Sequence, residues 1–319
     1  MRSVMNAVWP ADTFQPVRGV ASGSWLDRLS AVVAAAALVA VAASILMEQA
    51  PEAASSQQAA SGEAASPRLA PAGAEWMFAG YSGVPFTYPS DVTLTKSGTH
   101  DLTAKNVGWD GKPFVNPIYY GARIVRFGAG RVGTMLDFTH SKTIARLAEQ
   151  VDLEGTLNGA PAPARATLRD IFRRLEASHG HNMLTLNGLF RLPSFGVRLQ
   201  PYVGLGAGVS LPHAEVQMAN ADVRTYEYQV AGAVGQALIG LEVRTARVSY
   251  LFEYKFTFAP YLIPLSEQDG SWLPLDLWRQ LRNWLSGEPP PGGHIRTQLT
   301  SHQGIFGLGI RSAPLAAAP

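Results

Sequence analysis

The 319-residue chain contains no cysteine, which removes disulfide staples, thiolate metal sites and a cysteine nucleophile from consideration. Charge is scarce: Asp, Glu, Lys and Arg make up 16% of the residues, against about 25% in an average domain. The net charge of +2 is too small to argue for a nucleic-acid partner. Neither a phosphate loop nor a Gly-rich dinucleotide fingerprint occurs, so a nucleotide or flavin cofactor has no signature here. No Ser-His-acid triad can be picked out by spacing, since such triads are assembled in space.

What is present is sheet-forming sequence, with Gly 31 and Tyr 10. The clearest stretch is 248–258, VSYLFEYKFTF. Val248, Tyr250, Phe252, Tyr254, Phe256 and Phe258 form one row; Ser249, Leu251, Glu253, Lys255 and Thr257 form the other. A two-residue period in β-branched and aromatic residues reads as a β-strand. In a soluble sandwich the aromatic row would need a covering sheet. In a transmembrane barrel that row faces lipid and the polar row fills the interior.

The chain's rhythm decides between these. Candidate strands are 75–82, 117–127, 132–140, 182–192, 197–211, 226–243, 248–258 and 295–311. Short connections at 128–131, 193–196 and 244–247 alternate with long ones. That alternation of short turns and long loops is the asymmetry of bacterial outer-membrane barrels; eight-stranded soluble barrels do not alternate so cleanly. The expected fold is therefore all-β, an eight-stranded antiparallel up-and-down transmembrane β-barrel with partly helical extracellular loops. Leu136, Phe138, Leu184, Leu186, Phe190, Leu192, Val197, Leu199, Val203 and Leu205 are expected to face lipid. Arg123, Asp137, Thr139, Thr185, Asn187, Arg198, Gln200 and Tyr202 are expected inside, as a filled plug of paired charge.

Before the barrel, residues 29–47 carry no charge and read as a signal peptide or signal anchor spanning 1–47. Residues 48–74 are an Ala/Ser/Pro linker too poor in large apolar residues to fold. The barrel spans 75–312, and 313–319 is a tail. In the first long loop, 91–95 and 102–107 fit short strands extending the barrel above the membrane. The second, 141–180, reads as two helices, with Ile144, Leu147, Ala148 and Val151 on one face and Leu168, Ile171, Phe172 and Leu175 on another. The last holds Leu277, Trp278, Leu281, Trp284 and Leu285 at helical spacing, a helix suited to the membrane interface or to a cap. Arg165, Arg169, Arg173, Arg279 and Arg282 on these loops are candidate substrate-binding residues, since arginine pairs well with phosphate. On the outer face those phosphates belong to lipid A.

Histidines are the candidate metal ligands. His140 ends the third strand, and His179 and His181 begin the fourth, so all three fall near the extracellular rim. With Asp137 or Glu227 they are candidates to hold a divalent metal ion, and His140, His181 and Asp137 are the candidate catalytic set. His140 has the opposite strand parity from Asp137.

Several ordered segments carry a resemblance: GYSGVP (80–85), PSDVT (89–93), VGWDGKPF (107–114), PIYYGAR (117–123), DFTHSK (137–142) and SHGHN (178–182). They resemble outer-membrane lipid A oxidases over about 75–311, most strongly before Lys142. The resemblance implies an eight-stranded barrel that oxidises the proximal glucosamine of lipid A to 2-aminogluconate with molecular oxygen. The alternative is a non-catalytic structural or adhesive barrel with capping loops. Two features depart from the family: the N-terminal extension, and a chain end without the terminal aromatic residue usual for such barrels.

Overall fold

The computed structural model describes residues 74–312 apart from Val197. The expected N-terminal apolar segment, nearly all of the linker, the tail and the outward placement of Val197 lie outside the described residues. In chain order the elements are β1 (Glu75–Thr87), β2 (Ser90–Lys96), β3 (His100–Val107), β4 (Trp109–Asp110), β5 (Tyr120–Phe127), β6 (Val132–Ala145), β7 (Gln150–Leu157), β8 (Ala160–Pro161), β9 (Arg165–Thr167), β10 (Phe172–Arg191), β11 (Leu199–Ser210), β12 (His213–Met218), β13 (Thr225–Tyr228), β14 (Gly232–Arg244), β15 (Val248–Pro264), α1 (Leu273–Ser286) and β16 (His294–Arg311).

Eight of these strands close a barrel in the order β1-β5-β6-β10-β11-β14-β15-β16. Every pairing is antiparallel, and β1 pairs with β16 to seal the ring. The polarity is the expected inversion. Along β15 the residues alternate exposed and buried from Val248 to Tyr261, with Tyr250, Phe252, Tyr254 and Phe256 outward. Leu136, Leu184, Phe190 and Leu205 are exposed on neighbouring strands, while Asp137, Thr185, Asn187 and Lys255 are buried inside. An apolar belt around an ionic interior places the barrel in a membrane, and this architecture is that of the bacterial outer membrane. Among the described residues no helix is long and apolar enough to cross a membrane.

Two ionic layers fill the barrel. Near mid-height, Arg123 Nε donates to Asp137 Oδ1 at 3.2 Å and Lys255 Nζ to Asp137 Oδ2 at 2.7 Å, while Arg123 also bonds Glu253. Two cations and two anions leave this layer neutral. Nearer the short turns, Glu75 and Glu242 meet Arg191, Arg244 and Arg311. Met77, Val125, Phe127, Met135, Leu189, Leu238 and Leu251 form an apolar cluster in the same interior. Two tyrosines lie over facing glycines. A Cβ on Gly121 would sit inside the ring of Tyr81, and one on Gly240 would collide with Tyr202. That absence of side chain lets both phenols reach the mid-height layer: Tyr81 donates to Asp137 Oδ1 at 3.0 Å, and Tyr202 bonds Glu253.

A transmembrane strand needs about 9–11 residues, yet β10, β15 and β16 have 20, 17 and 18. Their upper ends stand clear of the membrane and continue as a crown. There β16 pairs with β2, β2 with β3, and β3 with β7; on the opposite side β10 pairs with β12, and β12 with β13. The crown has its own apolar core, including Leu94, Leu102, Leu168, Phe172, Ile263 and Ile295. The expected short strands at 91–95 and 102–107 are thus present.

Three expectations need correction. Residues 141–180 do not form two helices; they form the end of β6, then β7, β8 and β9, a single 3-10 turn at Leu168–Asp170, and the start of β10. The helix-like spacing misleads because the crown core takes residues from a turn and from strands together: Val151 and Leu153 alternate along β7, whereas Leu168, Ile171 and Phe172 enter around the turn. The strand expected at 226–243 is broken: β13 leaves the barrel wall to pair with β12, and β14 begins at Gly232, φ +157. Arg198 is exposed in the turn before β11 rather than inside.

Replacing Asp137 by Ala strands Arg123 and Lys255 in the interior and should cost about 3–5 kcal/mol of unfolding free energy. Urea unfolding of the barrel in lipid vesicles measures this. The pair Asp137→Leu with Lys255→Met should cost less than Asp137→Ala alone, because it removes a cation together with its anion.

Candidate functional site

The strand period separates the predicted catalytic residues. His140, on β6, is the Cα partner of Tyr120 on β5 and Asn182 on β10. These three share the outward row with the exposed Leu136 and Leu184. Asp137 lies on the inward row, bonded within the ionic layer. His181 pairs with Ser141, also on the inward row, and its Nδ1 bonds the Tyr261 hydroxyl inside the barrel. The barrel wall therefore stands between His140 on one side and His181 with Asp137 on the other. His179 is exposed, its ring 5.5 Å from that of His213 and 5.4 Å from that of Tyr226. Among the described residues no three His, Asp or Glu side chains converge as a metal-ligand set.

His140 is oriented by Asn182. Asn182 Nδ2 donates to the Leu211 carbonyl at 3.1 Å, which turns its Oδ1 toward His140 Nδ1 at 2.8 Å. An amide oxygen only accepts, so Nδ1 carries a proton. Nε2 is buried and has no hydrogen-bond partner. The ring is stacked on Tyr120, centroids 4.6 Å apart.

The predicted substrate-binding arginines fall on separate elements. Arg165 is held by Asp152 at 2.8 Å on β9, Arg169 lies in the 3-10 turn, and Arg173 donates to the Ala219 carbonyl at 3.2 Å. Arg279 and Arg282 lie on α1, where Arg279 is 3.6 Å from Asp276. No hydrogen bond or ion pair joins the two groups of arginines among the described residues.

A cluster that spacing alone did not single out sits on β12 and β13. His213 is buried with Tyr226 and Tyr228 edge-on to its ring at 4.3 and 4.5 Å. Its Nε2 donates to the Gly270 carbonyl at 3.1 Å. Glu215 is clamped by Arg224 at 3.0 Å. On the core side Glu227 accepts from Ser266 Oγ at 2.6 Å and Gln229 Nε2 at 2.8 Å, so this carboxylate is already committed. The alternation His213, Glu215, Gln217 was the signal available in the sequence.

No family model and no curated protein matches this chain. Among solved structures it is similar to Neisserial surface protein A, at 10% identity and a TM-score of 0.32, covering 75% of this chain and 98% of that one. It is also similar to Ail, the attachment invasion locus protein of Yersinia pestis, solved with the heparin analogue sucrose octasulfate, at 9% identity, TM-score 0.29 and the same coverage. Likeness this faint adds nothing to the barrel geometry. Nothing in these comparisons supports the oxidase resemblance.

Burial, chiefly, holds the His213 imidazole below the ordinary histidine range; the bond to Gly270 opposes this and His179 reinforces it. The unfolded chain takes up a proton at the ordinary value, about 6.5, while the folded one resists it. The crown should therefore lose stability as pH falls below about 6.5. Glu227 and Glu215, both raised mainly by burial, act in the opposite sense. Hydrogen exchange of residues 213–228 at pH 7.5 and 5.5, compared between wild type and His213→Gln, isolates the histidine: acid should loosen the hairpin more in wild type.

Proposed function

We propose that this chain is a filled outer-membrane barrel with a structural or adhesive role, holding a rigid β crown outside the cell as a platform for surface contact. One observation carries this reading. The interior is occupied by paired side chains and the crown by its own apolar core, so the barrel offers a wall and a platform rather than a channel. Chemistry by His140, His181 and Asp137 acting together would need groups now on opposite faces of one sheet to meet.

A second reading, oxidation of the proximal glucosamine of lipid A, is favoured by one feature. His140 lies on the outward row near the upper edge of the belt with a buried Nε2 that has no hydrogen-bond partner, beside an exposed tyrosine. The loop arginines and a divalent metal held by His140, His179 or His181 belong to this reading. Mass spectrometry of lipid A distinguishes the two. An unchanged profile in a deletion strain is the expected outcome. A species lost on deletion, restored by the wild-type gene and not by His140→Ala, would replace the first reading with the second. Purified protein in planar bilayers should show no steady conductance steps.

A further inference from the structure

Helix α1 is docked inside out. It starts after Trp272 with Pro274 in its first turn and stops at Gly287, φ +71. Its buried residues are polar: Asp276 is 1% exposed and Gln280 is 5% exposed. Asp276 Oδ2 accepts from the Tyr228 backbone N–H at 3.2 Å. Gln280 grips Val230 from both sides, its Oε1 accepting from the Val230 N–H at 2.8 Å and its Nε2 donating to the Val230 carbonyl at 3.2 Å. Most of the apolar stripe points away from the protein, with Leu277 and Trp284 half-buried. Trp278 is 60% exposed and Leu285 71%, with Leu275, Leu281 and the preceding Trp272 also exposed. A helix that buries its polar face and bares its apolar one has the arrangement of an interfacial membrane helix.

The docking point sets the height. Val230 adjoins Ala231, whose carbonyl accepts from Leu262 N–H on β15. Leu262 lies four residues beyond Phe258, the last of the outward aromatic row. At about 3.3 Å per residue and a tilt of 35–45°, that is roughly 10 Å above the row. A helix about 10–12 Å across with its side chains reaches about half that distance down, which puts the stripe at the height of the headgroup layer just above the belt.

We propose that α1 is a membrane-surface anchor, its stripe of Trp278, Leu281 and Leu285 set into the lipid headgroup layer beside β14 and tethering the crown there. The anchor does not depend on the role of the crown.

The absence of cysteine makes the test clean. Trp278→Cys and Leu285→Cys variants of the full chain, folded into phosphatidylcholine vesicles, are labelled with an environment-sensitive fluorophore, with Arg165→Cys on β9 as the crown reference. Lipid brominated near the headgroup should quench the labels at 278 and 285 at least threefold more than the label at 165, and aqueous iodide should do the reverse. Equal iodide quenching at all three sites overturns the proposal. So does shielding at 278 and 285 that disappears on dilution to one barrel per vesicle, which would assign the face to a second copy. Gel mobility before and after heating checks that each variant is folded, and Leu275→Cys replaces any that is not.

Discussion

The mid-height ionic layer is the constraint on which the rest of the barrel depends. Lys255 and Asp137 are each fully buried, as are Arg123 and Glu253. Charges in such a place are stable only when every partner is present. The four side chains come from β5, β6 and β15, and the tyrosines that complete the layer come from β1 and β11. The layer thus fixes the register of strands far apart in sequence. A slip by one residue in β15 would carry Glu253 and Lys255 into lipid and Phe252 and Tyr254 into the interior.

Most of the barrel was legible because a period of two writes itself into the residues. The alternation in 248–258 assigned lipid and interior faces residue by residue, and the eight-strand count follows from the turn spacing. The crown was only half legible. The segments 91–95 and 102–107 alternate as strands do, whereas Leu168, Ile171, Phe172 and Leu175 mimic helical spacing while sitting on a turn and a strand. Pattern alone cannot separate these, because both put the same residues into a core. The break between β13 and β14 was hidden for a similar reason: a glycine inside a strand pattern marks either a bend or an ordinary stave.

The site residues divide along the same line. Parity already placed His140 opposite Asp137, and the structure keeps them there. What sequence could not supply is that Asn182 orients His140, or that His179 turns toward His213 and Tyr226 instead of His181. Those relations are set by the bulge around Gly180, φ +143, where the register between β6 and β10 shifts. For α1 the apolar stripe was plain, but its direction was not. Only the contacts of Asp276 and Gln280 reveal that the polar side is the one docked.

The seam between β1 and β16 joins the two ends of the described chain, and β16 then extends upward to hydrogen-bond β2. The crown sheet through β2, β3 and β7 therefore hangs from β16, the last of the described strands in chain order. Because β2 follows β1 after a two-residue turn, it meets β16 only where β1 already lies alongside, so a finished outer surface is itself a certificate that the wall beneath it has closed.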